Sequence, residues 1–164
     1  MKRSRMTPVR RRLARLTLAL FVSAALCAGC YGRNHTQHEG AYDFVAQEIF
    51  QDNCGIQAGS SALFSGTMRI SGDWVRMRMD ERLYGMDAVG YFLAGVDRFS
   101  LDGSAGNVTT RANGTECLVA QIEAHLDATT DTPSAFHGAT QIHFETDQPG
   151  CSCDLGVRYT AGLR

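Results

Sequence analysis

The chain has 164 residues, 44% of them hydrophobic and 20% charged, with a formal net charge of −1. That near-balance hides an asymmetry: seven of the 16 basic residues lie in positions 1–15, and all 17 acids lie at or after Glu39. From residue 30 onward nine arginines face 17 acids, a net charge of −8 that repels phosphate backbones and argues against nucleic acid as a partner.

The first element is "MKRSRMTPVRRRLARLTLALFVSAALCAGC". A basic head is followed by an apolar run over residues 16–28, broken only by Thr17, Ser23 and Cys27, which is the layout of an export signal. Thirteen residues are too few for a membrane-spanning helix, which needs about 20. Ala28 and Gly29 lead directly into Cys30. This arrangement resembles the lipobox of bacterial lipoproteins over residues 1–30, with Cys27 standing where that family prefers Leu or another aliphatic residue. The resemblance implies that residues 1–29 are a signal peptide, that Cys30 is acylated, and that it becomes the first residue of the mature protein. It also implies an envelope location, with Tyr31 after the cysteine favouring the outer over the inner membrane. Several acyl chains hold a protein firmly where one binds marginally. A net charge of −8 gains nothing from an anionic bilayer, so the membrane partner is reached through the anchor.

Residues 30–40 are polar and without period, and read as a tether that could extend about 35 Å, with His35 and His38 solvated. A single disulfide-bonded domain is expected over residues 41–164. In "AYDFVAQEIFQDNCG" the spacing of Tyr42, Val45 and Ile49 predicts a short N-terminal helix, with an irregular strand as the alternative.

The apolar period then becomes two. Phe64, Gly66, Met68 and Ile70 share one face, "SGD" is a turn, and Val75, Met77 and Met79 face inward against Arg76, Arg78 and Asp80. "AVGYFLAGVDRFSLDG" supplies one or two strands, and "SAGNVTTRANG" reads as a polar loop or weak strand. Three alternating segments follow. One carries Leu118, Ala120, Ile122, Ala124 and Leu126, the next Phe136, Thr140, Ile142 and Phe144, and the last Cys151, Cys153, Leu155, Val157 and Tyr159. Cys117 is out of phase with Leu118, which predicts a bulge or strand end there. The pattern predicts a mainly β fold: an antiparallel β-sandwich or small β-barrel ending in a three-strand meander.

Cys54, Cys117, Cys151 and Cys153 are an even set for an oxidising compartment. Cys151 and Cys153 are separated by about 7 Å in extended chain, at the edge of disulfide reach. Cys54 and Cys117 are therefore each expected to pair with one of them, in either order.

No nucleophile elbow, zincin helix, phosphate loop or dinucleotide fingerprint is present, and no cofactor is indicated. The expected function is a non-catalytic envelope role, either binding a protein or glycan partner or serving as a structural accessory. One alternative is a small-ligand carrier with a pocket lined by Phe92, Phe136, Phe144 and Tyr159. Another is metal binding, if a turn centred on Asp131 sets His125 opposite His137, with Gln121, Glu123 and His143 on the same face.

Overall fold

A computed structural model describes residues 35–55, 61–94, 96–112 and 114–164. The signal sequence and Cys30 lie outside the described residues. The domain is built from eight strands: β1 (Gly40–Asp52), β2 (Ala62–Ser71), β3 (Trp74–Met79), β4 (Asp87–Phe92), β5 (Arg98–Ala112), β6 (Thr115–Thr132), β7 (Ala135–Glu145) and β8 (Cys153–Leu163). Each pairs antiparallel with its sequence neighbour, and β8 returns to pair with β1. The result is a closed up-and-down barrel. Of the two architectures that alternation allows, closure removes the sheet edges that a sandwich would keep. Eight strands enclose an interior just wide enough for side chains or one small ligand.

The segment read as a helix is β1. Its register breaks twice against β8 and once against β2, as an irregular strand, and the helix-like spacing corresponds to no common face. Tyr42 and Phe44 face inward, whereas Val45 and Ile49 are exposed at 40% and 41%. A strand that must satisfy ladders on both sides to close a barrel overrides a weak local helix signal.

End A of the barrel holds the start of β1, the β2–β3, β4–β5 and β6–β7 turns, and Arg164 beyond β8. End B holds the other turns and both disulfides. The half nearer end A is packed solid with aromatic rings. Phe136 sits among Tyr42, Phe44, Phe99 and Tyr159, with ring centroids 5.0, 5.7, 5.1 and 6.3 Å away. Two glycines let strands coil this tightly: a Cβ on Gly90 or Gly138 would lie 1.8 Å from the carbonyl oxygen of Ser100 or Asp127.

The segment expected to be a free tether is docked from His35 onward. The His35 ring is buried and stacks on Phe92, 4.0 Å between centroids and 7° from parallel, and its Nε2 lies 3.1 Å from the Gly72 carbonyl oxygen. Gln37 is also buried; it donates to the Pro133 carbonyl at 3.0 Å and to the Tyr42 hydroxyl at 2.6 Å. Tyr42 in turn donates to the His38 carbonyl at 2.7 Å. These contacts draw residues 35–38 across end A. Burial and hydrogen bonds that composition did not forecast turn a polar run into a plug.

The phase of β6 breaks at Ala120–Gln121 and not at Cys117, which pairs regularly inside the strand, and Leu118 and Ala120, expected inward, face outward. Cys117 and Val119 are buried, the next inward residue is Ile122, and Leu118 is 64% exposed. Across the ladder Asn107 has a φ of 55°, so the β5–β6 hairpin bends on both strands at one level and projects past β7. The run read as a polar loop is thus the outer part of β5. Where β7 stops, side chains from the β7–β8 turn take over the ladder. Gln148 Oε1 accepts from Leu118 N–H at 3.2 Å, Thr146 donates to the Leu118 carbonyl at 2.7 Å, and Gln148 Nε2 donates to the Glu116 carbonyl at 3.3 Å.

The interior is apolar and the outer face carries the charges, the inverse of a membrane-spanning barrel with its lipid-facing apolar band.

Candidate functional site

Toward end B the packing opens into an apolar cup of about 330 Å³. Most of its wall follows from strand alternation: Thr140, Ile142 and Phe144 point inward from β7, Leu155 and Val157 from β8, and Phe64 from β2, while the adjacent Leu63, also buried, lines it against that alternation. Phe64 also packs on Phe44, 4.5 Å between centroids, so the floor of the cup is the top of the aromatic cluster. The buried Thr140 hydroxyl on the inner wall is already used, donating to the His125 carbonyl at 3.1 Å. The cup presents methyl, methylene and ring surface from Leu63, Phe64, Ile142, Phe144, Leu155 and Val157, and polar groups from Arg82, Tyr84 and Thr110. Below it, burial pushes the Tyr159 phenol far above its ordinary pKa, with the Asp127 charge adding to the shift. It stays a neutral donor, bonded to the Asp127 carbonyl at 3.0 Å.

The rim is set by a short 3-10 turn over Glu81–Leu83. Asp80 caps it, accepting from Arg82 N–H at 3.0 Å and from Ser65 N–H at 2.9 Å. Tyr84 and Gly85 then take positive φ values of 53° and 59° and turn the chain into β4. This places Arg82, Leu83 and Tyr84 at the mouth. "DERLYG" carries that signal in sequence, a capping acid followed by a glycine, and it passed unread among the alternating strands. Thr110 of the projecting hairpin completes the wall.

Both disulfides brace this end. Cys54 joins Cys153 (Cα–Cα 5.2 Å) and ties the end of β1 to the start of β8. Cys117 joins Cys151 (5.7 Å) and ties the projecting hairpin to the β7–β8 turn. All four predicted cysteines are used, and the structure fixes the pairing that spacing left open.

The aromatic residues expected to line a pocket are divided. Phe144 lines the cup, whereas Phe92, Phe136 and Tyr159 lie in the packed half. Alternation shows which residues face inward, but which end of a barrel is left unfilled depends on packing along its axis.

The histidines lie on the outer face and do not converge as the metal alternative requires. The β6–β7 turn is centred beyond Asp131, so His125 stands opposite Gln141 and His137 opposite Thr129. Each imidazole Nδ1 meets its own carboxylate: His125 with Asp102 at 2.6 Å, His137 with Asp131 at 2.7 Å, His143 with Asp154 at 2.7 Å. Among the described residues no three His, Cys, Asp or Glu side chains are placed to hold a metal ion.

A larger, polar concavity of about 700 Å³ runs over this outer face. Its charged groups are mostly paired with one another. Asp102, His125 and Ser100 stand in the contact order of a hydrolase triad, with Ser100 Oγ 3.5 Å from His125 Nε2. The Asp127 carboxylate lies equally near that nitrogen, at 3.5 Å. The Asp102 hydrogen bond, with the Asp102 and Asp127 charges, raises the His125 pKa. Asp102 is also 79% exposed, unlike the buried acid of a working triad.

Comparison with known protein families, with curated proteins and with solved structures returns no match.

Proposed function

We propose that this protein is a lipid-anchored envelope protein that binds a small apolar molecule in the end B cup, without catalysing a reaction on it. One observation carries the ligand part: a cup within the volume range of small-molecule sites, lined largely by aliphatic and aromatic side chains with a few polar groups from Arg82, Tyr84 and Thr110, whose buried Thr140 hydroxyl is already bonded. The lipobox-like leader supports the anchor. Five chain steps lead from Cys30 to His35, which bounds the distance between them at about 17 Å whatever path the chain takes. His35 is docked on end A. An anchor at Cys30 therefore attaches near the plugged end and leaves the mouth of the cup on the opposite one. A barrel with an apolar interior and a charged outside suits this role, since it need not cross the bilayer itself.

Titration of the purified protein with the environment-sensitive apolar dye N-phenylnaphthylamine tests the ligand part. Saturable binding, displaced by a short fatty acid, is expected. Val157→Phe, which fills the cup from β8, should weaken it by about tenfold or more, equal to 1.4 kcal/mol. Near-UV circular dichroism of the variant checks that the barrel is intact. No saturable binding by the parent, or binding unchanged in a folded Val157→Phe protein, removes the reading.

A further inference from the structure

The rim of end A carries the chain's only tryptophan. Trp74 stands opposite Tyr91 across the β3–β4 ladder, and their rings meet edge-on with centroids 6.1 Å apart. Both point outward, with Trp74 65% exposed, and Val96 in the β4–β5 turn is exposed at the same end. One row further from the rim, about 7 Å along the strands, Arg69 faces Arg76 and Arg76 faces Val89. Arg69 is held only loosely, 3.9 Å from Glu39. Scattered exposed apolar residues need no explanation. Here an aromatic pair stands at the rim, one row beyond two arginines that are themselves occupied, since Arg76 bonds Asp87 with two donors at 3.2 and 2.8 Å.

That rim faces the incoming chain. His35 stacks on Phe92, the neighbour of Tyr91, and meets the carbonyl of Gly72, two residues before Trp74. Whatever anchors the chain at Cys30 thus lies within about 17 Å of His35, beside this rim.

We propose that the end A rim seats on the membrane that holds the anchor, with Trp74, Tyr91 and Val96 at headgroup depth. Trp and Tyr concentrate at membrane interfaces because one ring offers both apolar surface and a polar edge. Arg69 and Arg76 are matched by Glu39 and Asp87, so the contact is carried by the rings and not by charge. Asp73 and Asp97, exposed in the same turns, resist burial in hydrocarbon and limit the depth to the interface. The inference rests on the anchored reading, and adds to it an orientation and a second, non-covalent contact.

Because Trp74 has no competitor, its fluorescence reports the contact directly. The protein extracted from envelopes is reconstituted into phosphatidylethanolamine–phosphatidylglycerol vesicles, and intact mass on the same sample reads acylation of Cys30. Seating predicts a blue shift of Trp74 emission on reconstitution, quenching by acyl-brominated lipid, and loss of access to acrylamide. Tyr91→Ser with Val96→Ser should reduce all three while the protein stays vesicle-bound. An acylated, vesicle-bound protein whose Trp74 keeps its aqueous emission overturns the seating and leaves the anchor standing. An unacylated mass overturns the anchor, and the seating then fails as well unless the same sample still floats with vesicles and shifts its emission. Trp74 emission indifferent to lipid but moved by cell-wall glycan fragments overturns the membrane as occupant.

Discussion

Arg164, one residue beyond β8, grips Asp43 of β1 with two donors across the seam where the barrel closes. Its Nε donates to Asp43 Oδ2 at 3.0 Å, and its Nη2 donates to Asp43 Oδ1 and to the Ser65 hydroxyl at 2.9 Å. These bonds hold the Asp43 carboxyl at about 2, below its ordinary 3.8. A carboxylate depressed on folding stabilises the native state above its unfolded value and loses that contribution as pH falls through the folded one. The seam therefore weakens between about pH 4 and pH 2. Carbon-detected titration of Asp43 should show the low value in the parent and a return toward the ordinary range in Arg164→Ala. An ordinary value in the parent would show that the grip does not persist in solution.

His125 gives the opposite sign. Its pKa is raised, first by the Asp102 hydrogen bond, then by the Asp102 and Asp127 charges, against some loss from burial. A base whose pKa rises on folding contributes fully below its unfolded value, near 6.5, and loses that contribution as pH climbs through the folded one. Asp102→Asn should move the His125 proton-NMR midpoint downward and flatten the stability profile across that window. The pair is half exposed, so the effect on melting is small. A midpoint unmoved by Asp102→Asn would disprove the pairing.

Removing the Cys117–Cys151 bridge as a double serine variant should cost about 4 kcal/mol in the chain-entropy account. The enclosed segment, 34 residues, is shorter than the 99 spanned by Cys54 and Cys153. The location of the damage is more diagnostic than its size. Amide exchange should accelerate in the projecting part of the β5–β6 hairpin, and dye binding in the cup should weaken with loss of the Thr110 wall. Uniform loosening of all eight strands would count against a hairpin held locally by this bridge.

Glycines offer a matched pair. A Cβ at Gly138 would lie 1.8 Å from the Asp127 carbonyl oxygen, and one at Gly162 meets nothing within 4 Å. Gly138→Ala should destabilise by about 3 kcal/mol, because backbone cannot move aside as a side chain can, whereas Gly162→Ala should stay within about 0.5 kcal/mol of the parent. Urea denaturation of both would measure the contrast, and equal midpoints would refute the close approach.

The inward faces of β2, β3, β7 and β8 could be read from alternation, because each strand has one apolar side and nothing interrupts its period. The four cysteines were equally plain as a set. Alternation could not give the β6–β7 register, since polar outer residues do not constrain it, and the two-histidine face predicted from sequence was lost with that register. Nor could it show the docking of His35 and Gln37, whose burial depends on Phe92 and Pro133, both distant in sequence. The cup was half visible: Ile142, Phe144, Leu155 and Val157 were marked as inward, but the void between them arises because the large rings gather at the other end.

The amide of Gln148 and the hydroxyl of Thr146 occupy the outer side of β6 where a ninth strand would otherwise add. A projecting ribbon with Leu118 turned outward would invite neighbouring copies to pair with it when molecules are concentrated on a surface. Side chains that have already taken the Leu118 and Glu116 backbone positions leave an approaching strand few partners there. The reach of the hairpin is kept, and intermolecular zippering along that border is discouraged.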